Sequence, residues 1–269
     1  MVILYFIICL FLITIGALTK NFNYEQLFIL PIGVIAILFQ KFIHRGKIKD
    51  LGFRKCKLKQ ILEAIIFPLV IIFLIFLIDF IFGFIKIQSL SELKNPFIKG
   101  QIGIDIGTLM LIILITALLT FIGALITEEL AFRGYLITRL NKLGDLRALI
   151  YSSLLFGIWH IPVSAILLGT GAWRSVIYAF NIFLLGILFG NLFLESKSLI
   201  PPSLFHGVWN SLEYTLFGFG NAQAIFLGSS RIIFDPEEGF VGTIILIAFS
   251  LIALWKIRMK KVDVESSKD

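Results

Sequence analysis

The chain has 269 residues, of which 58% are hydrophobic and only 15% charged, with a mean hydropathy of +0.98. Ordinary soluble domains carry about a quarter charged residues, so this composition excludes that class. The net charge of +7 would suit a nucleic-acid ligand, but its placement along the chain argues for a different reading.

The apolar residues fall in long blocks, as helices that cross lipid require. Eight spans are predicted, at about 2–18, 27–43, 61–85, 106–130, 147–168, 174–194, 199–219 and 240–256. The fold class is therefore all-α: a polytopic membrane protein, a bundle of about eight transmembrane helices, in a single integral membrane domain over 1–269. No polar stretch is long enough to fold alone. With the N-terminus inside, the segments 41–60, 131–147, 195–198 and the tail from 256 hold 18 of the 24 Lys and Arg residues. The outer loops hold Lys20, Lys86, Lys94, Lys99, Arg174 and Arg231. This asymmetry follows the positive-inside rule and predicts cytosolic N- and C-termini for a multi-pass protein of the cell membrane. The basic excess is then a topology signal and an attraction to membrane lipid headgroups, with no nucleic-acid partner.

In chain order, the first span lacks the basic n-region and small-residue cleavage site of a signal peptide and is read as a retained helix. Cys9 and Cys56 are too few for a disulfide framework, and the tail ESSKD carries no lipidation signal. The loop KIKDLGFRKCKLKQ (47–60) reads either as a helix lying on the inner surface, with Leu51, Phe53 and Leu58 dipping into lipid, or as a solvated loop. Span three contains Asp79, an intramembrane acid without a partner in sequence. No internal repeat is visible, which weighs against a transporter built from duplicated bundles.

Span four runs into ITEELAFRGYL (126–136). On a helix Glu129 and Arg133, four apart, share a face and can pair, whereas Glu128 is rotated by about 100° and must find other company. Alone, the stretch reads equally well as a helix end with solvated charges. The histidines shift that balance. Of only three, His44 lies in the basic loop, but His160 sits inside span five and His206 near the start of span seven. Phe156 precedes His160 by four residues, where it can wall off the imidazole. Asn210 follows His206 by four, so both point into one space. A lone buried histidine is more often structural; two of them, one with an asparagine beside it and both following a Glu pair, point to one shared site. Counting about 1.5 Å per residue, the residues converge if the cavity between them opens to the cytosol.

The donors suit water activation. A carboxylate deprotonates water, histidine shares or relays the proton, and an asparagine amide with a second histidine donates to a developing oxyanion. Glu128, His160 and His206 are equally the donor types of a zinc site, assembled from three helices because no contiguous HExxH helix is present.

The motifs EExxxR (Glu128, Glu129, Arg133), FxxxH (Phe156, His160) and HxxxN (His206, Asn210), in this order on successive helices, resemble the CAAX protease and bacteriocin-processing family, also called the Abi family. These are intramembrane endopeptidases related to the type II CAAX prenyl protease. The flanks FRGYL, HIP, GILFGNLF and SLIPPSLFHGVWN are similar as well. The motif region covers about 130–213, within a protease core of about 106–219. The resemblance implies Glu128 as general base with His160 beside it, His206 and Asn210 at the oxyanion, and Glu129, Arg133 and Phe156 in support. Many members are named metalloproteases, and the metal question stays open. Substrates in the family range from prenylated CAAX proteins to membrane-anchored peptide precursors. Two other readings of the same residues are the polar relay of a transporter and a non-catalytic, immunity-type membrane protein that binds a partner in the cavity.

Overall fold

A computed structural model describes residues 1–98, 100–219, 223–228 and 230–266, with side chains as far as Met259. Lys99, counted above among the outer charges, and the end of the tail ESSKD lie outside the described residues. The chain is almost wholly helical. Its long helices are α1 (Val2–Leu18), α2 (Phe22–Leu38), α3 (Leu58–Ile81), α4 (Ile106–Ile126), α6 (Asp145–Pro162), α7 (Ala172–Ser196), α8 (Ile200–Leu212) and α10 (Phe240–Ser266), with short α5 (Thr138–Leu140) and α9 (Arg231–Phe234) between them. A two-stranded antiparallel ribbon pairs β1 (Ile85–Ile87) with β2 (Phe226–Gly228) at one end of the bundle.

Among the described residues six helical passages are long and apolar enough to cross a membrane. The first helix, Val2–Leu18, is shorter, and α8 continues through Glu213–Phe217. Together they form the expected bundle of about eight. Leu, Ile and Phe side chains such as Ile3, Phe11, Leu114, Leu118 and Ile244 are exposed on its outside, as lipid-facing positions should be. The protein is a multi-pass membrane protein of all-α class.

Three spans depart from their expected limits. The second begins at Phe22, where Asn21 caps α2 by accepting from the backbone N–H of Asn23 and Tyr24. The third stops at Ile81, because Gly83, with φ +69°, turns the chain into β1. The fourth does not end near 130: helix continues as one passage from Ile106 to Leu143. Its second part, Leu130–Ile137, is π-helical and wholly buried, so it is bundle interior and not a cytosolic loop.

The basic loop forms no surface helix. It makes one 3-10 turn, Ile48–Leu51, and then runs extended. Leu51 is fully buried, and the Gly52 carbonyl accepts from the Leu199 N–H at 2.9 Å. Ser198 Oγ donates to the Arg54 carbonyl at 2.6 Å. Backbone partners on the α7–α8 connection hold the loop against the bundle, so only Phe53 and Leu58 of the three apolar residues remain exposed. Asp79 is fully buried and lines neither cavity described below. Cys9 and Cys56 are both free.

Close backbone packing seats the motif helices. A Cβ on Gly207, next to His206, would lie 2.5 Å from the Ala117 carbonyl oxygen of α4, and one on Gly157 would meet the Ala179 carbonyl of α7. Only hydrogen fits at these two crossings, which bring α8 onto α4 and α6 onto α7.

Candidate active site

The site begins at the break in α4. Thr127 leaves helical geometry, with φ −119° and ψ −93°, and its hydroxyl donates back to the Gly123 carbonyl at 2.7 Å. The hydroxyl shares this carbonyl with the Thr127 backbone N–H, and π-helical turns follow from Leu130. Such irregular turns recur at functional sites. They also follow the other motif helices, at Val163–Leu167 after α6 and Glu213–Phe217 after α8. The break aims the two adjacent acids in different directions. Glu129 enters the packed interior, while Glu128 faces a cavity and keeps slight exposure.

Glu129 is the centre of a buried charge network. Arg133 Nη1 donates to its Oε1 at 3.2 Å, and His206 Nδ1 donates to the same oxygen at 2.9 Å. Arg133 Nη2 also reaches the Gly186 carbonyl at 3.4 Å. The guanidinium carbon lies 4.1 Å from the Phe156 centroid and 5.0 Å from that of Phe189, two rings set at 67° to each other. The cation thus sits in the corner between two aromatic rings, which offsets part of its desolvation. Phe189 also stacks on His206, with centroids 5.0 Å apart and an interplanar angle of 14°. The orientation of His206 is therefore fixed at one nitrogen and over one face, and its Nε2 remains available.

Glu128 faces His160. Its Oε2 lies 3.6 Å from His160 Nε2 and has no hydrogen-bond partner within the protein. The tautomer of His160 follows from its other nitrogen. Nδ1 is 2.9 Å from the Phe156 carbonyl, which can only accept, so Nδ1 carries the proton and Nε2 of the neutral ring presents a lone pair. Phe156 serves His160 doubly, since its ring also packs edge-on against the imidazole at 4.5 Å. Two acceptors at 3.6 Å cannot bond each other. A water offering one O–H to each, at about 2.8 Å, satisfies both.

Asn210 lines the same cavity as Glu128, His160 and His206. Its Nδ2 donates to the Tyr214 hydroxyl at 3.1 Å, which uses one of its two protons. The cavity has room for about 60 Å³, space for water and a few substrate atoms. Sequence reasoning gave no role to Phe189, Tyr178, Tyr214, Glu25 or Glu237, all of which line it. Phe189 is one of 28 phenylalanines and carries no signal of its own. Glu237 precedes α10, accepts from Trp209 Nε1 at 2.7 Å, and burial pushes its carboxyl well above the usual range.

The zinc alternative can be tested on the donors themselves. Among the described residues, no three His, Cys, Asp or Glu side chains are gathered closely enough to hold a metal ion. Glu128 and His160 face each other, while His206 is turned by its bond to Glu129. The three candidate ligands do not fit a zinc ion in this arrangement.

The cavity is also lined by Phe22, Glu25 and Gln26 at the start of α2 and by Tyr214 and Phe219 beyond α8, while Leu130–Ile137, which follows the acid pair, is buried.

In comparisons with known proteins, residues 110–212 match the family model described as Rce1-like, type II CAAX prenyl endopeptidase Rce1-like. No curated protein matches the chain. The matched segment runs from α4 to the end of α8 and contains EExxxR, FxxxH and HxxxN entire. Over residues 110–212, then, this multi-pass membrane protein is similar to the Rce1-like family of type II CAAX prenyl endopeptidases, in agreement with the resemblance carried by its three motifs.

Proposed function

We propose that the protein is an intramembrane endopeptidase that hydrolyses a peptide bond of a membrane-associated substrate, with water activated between Glu128 and His160. The observation that carries this reading is the facing pair itself, Glu128 Oε2 and His160 Nε2 at 3.6 Å in a cavity inside the membrane domain. The water oxygen attacks the scissile carbonyl carbon as Glu128 removes one of its protons, and the carbonyl π electrons move onto oxygen. His160 Nε2 accepts the second O–H and sets the direction of attack. Collapse of the tetrahedral intermediate breaks the C–N bond, and Glu128 returns its proton to the departing amine. In this reading the free proton of Asn210 Nδ2 and Nε2–H of His206, on residues that line the same cavity, donate to the oxyanion. In that role His206 carries protons on both nitrogens, with Nδ1–H held by Glu129. Glu129, Arg133, Phe156 and Phe189 are positioning residues. The substrates this reading covers are prenylated CAAX-type tails and membrane-anchored peptide precursors.

The test is cleavage of lipid-anchored peptides of both kinds by purified protein, with and without chelator. Wild type is expected to cleave, with Asn210→Ala slower by about 10²–10³-fold, the usual cost of one oxyanion donor. Asn210→Ala should leave the melting temperature near wild type, because the variant frees only the Tyr214 hydroxyl, which lines the cavity. Chelator is expected to change nothing, given the scattered metal-type donors. An unaltered rate for Asn210→Ala would remove that residue from the oxyanion site.

A further inference from the structure

We propose that Tyr214 is a further catalytic residue, whose phenol hydroxyl donates a hydrogen bond to the oxyanion of the tetrahedral intermediate beside the amide of Asn210. This rests on the proteolytic reading and adds to it a donor that does not depend on the charge of His206.

Tyr214 lies four residues past Asn210, where α8 passes into the π-helical turn Glu213–Phe217, so the two side chains share a face. Asn210 Nδ2 donates to the Tyr214 hydroxyl oxygen at 3.1 Å. A phenol accepts through its oxygen and donates its one proton. The Tyr214 proton meets no acceptor among the described residues, and Tyr214 lines the cavity that also holds Glu128, His160 and His206. That proton is left for whatever occupies the cavity. Accepting from the amide polarises the O–H and makes it a stronger donor. The ring is held in place: it stacks on Phe219 with centroids 4.9 Å apart and an interplanar angle of 27°, and Phe219 meets Phe22 edge-to-face at 5.2 Å. A donor fixed before the charge develops costs no reorganisation when it does. Phe22 and Phe219 also line a second cavity, of about 610 Å³. Tyr214 therefore stands where the catalytic cavity borders the larger space that a peptide chain requires.

The neighbours leave a place for such a donor. Asn210 spends one proton on Tyr214, and the Nδ1–H of His206 is held by Glu129. His206 offers Nε2–H only when both of its nitrogens are protonated. With His206 neutral, Asn210 and Tyr214 are the donors that remain. No proton leaves the phenol. It bonds to the oxyanion and lets go when the intermediate collapses.

Kinetics on a lipid-anchored peptide with purified wild type, Tyr214→Phe, Asn210→Ala and the double variant test the assignment. Tyr214→Phe is expected to lower kcat by about 10²-fold with KM little changed. It should keep the wild-type melting temperature, because the ring stays on Phe219. The same substitution made in Asn210→Ala is expected to cost at least roughly tenfold more, because the phenol touches the oxyanion itself. A phosphinic isostere of the peptide, whose tetrahedral P–O⁻ stands in for the oxyanion, is expected to bind more weakly to Tyr214→Phe by the factor that kcat/KM falls, and to weaken again in the double variant. An unchanged kcat in Tyr214→Phe overturns the proposal. A loss that vanishes in the Asn210→Ala background, in rate and in isostere binding, also overturns it and makes Tyr214 a positioning residue for Asn210. Both results leave the proteolytic reading intact. A folded wild type that cleaves no such peptide counts against that reading and takes the proposal with it.

Discussion

Glu128→Gln is expected to lower cleavage by about 10²–10⁴-fold, the range for loss of a general base, while the folded protein remains. The amide keeps the shape of the side chain but cannot take a proton from water. Little packing is at stake, since Glu128 lies on a cavity and its Oε2 has no partner within the protein. Cleavage assays on the purified variant, paired with its melting curve in the same detergent, check both halves. Wild-type activity in Glu128→Gln would remove the acid from the chemistry.

Arg133→Ala is expected to fail in the other way, by destabilising the bundle. Its guanidinium and the Glu129 carboxylate are both essentially inaccessible. Removing one partner of a buried pair costs about 3–5 kcal/mol, because the remaining charge is stranded. Arg133→Lys should recover only part of this. An ammonium restores the charge but not the guanidinium's contact with the Phe156 and Phe189 rings or its reach to the Gly186 carbonyl. A lowered melting temperature with parallel loss of activity is the predicted result. A variant as stable as wild type would show that the network does not hold the site together. Adjacent residues thus carry separable roles: Glu128 affects rate without stability, and the Glu129–Arg133 pair affects both.

Much of this was legible in the sequence because intramembrane polar residues are costly and hence few. Glu129 and Arg133 could be paired from their spacing alone, and Glu128 could be predicted to lack that partner. Helical periodicity put Phe156 against His160. Periodicity gave no angle between helices, however, so it did not reveal that His206 turns to Glu129 or that Asn210 bonds Tyr214. The end of span four was misread for a physical reason. A polar EExxxR run looks like the edge of the lipid, yet the helix continues to Leu143. Leu130–Ile137 then places Glu128 deep in the bundle instead of at its rim. The basic loop misled similarly, since Leu51 is apolar toward the protein and not toward lipid. Phe189, which holds both Arg133 and His206, was hidden by the abundance of phenylalanine.

The central claim is that Glu128 and His160 act on one water as a unit. It is tested most directly by cleavage kinetics of a lipid-anchored peptide with wild type, Glu128→Gln, His160→Ala and the double variant. Residues that act as a unit are strongly non-additive. The account predicts a double variant no slower than the slower single variant. Losses that multiply, or a wild type that cleaves nothing while properly folded, would contradict it.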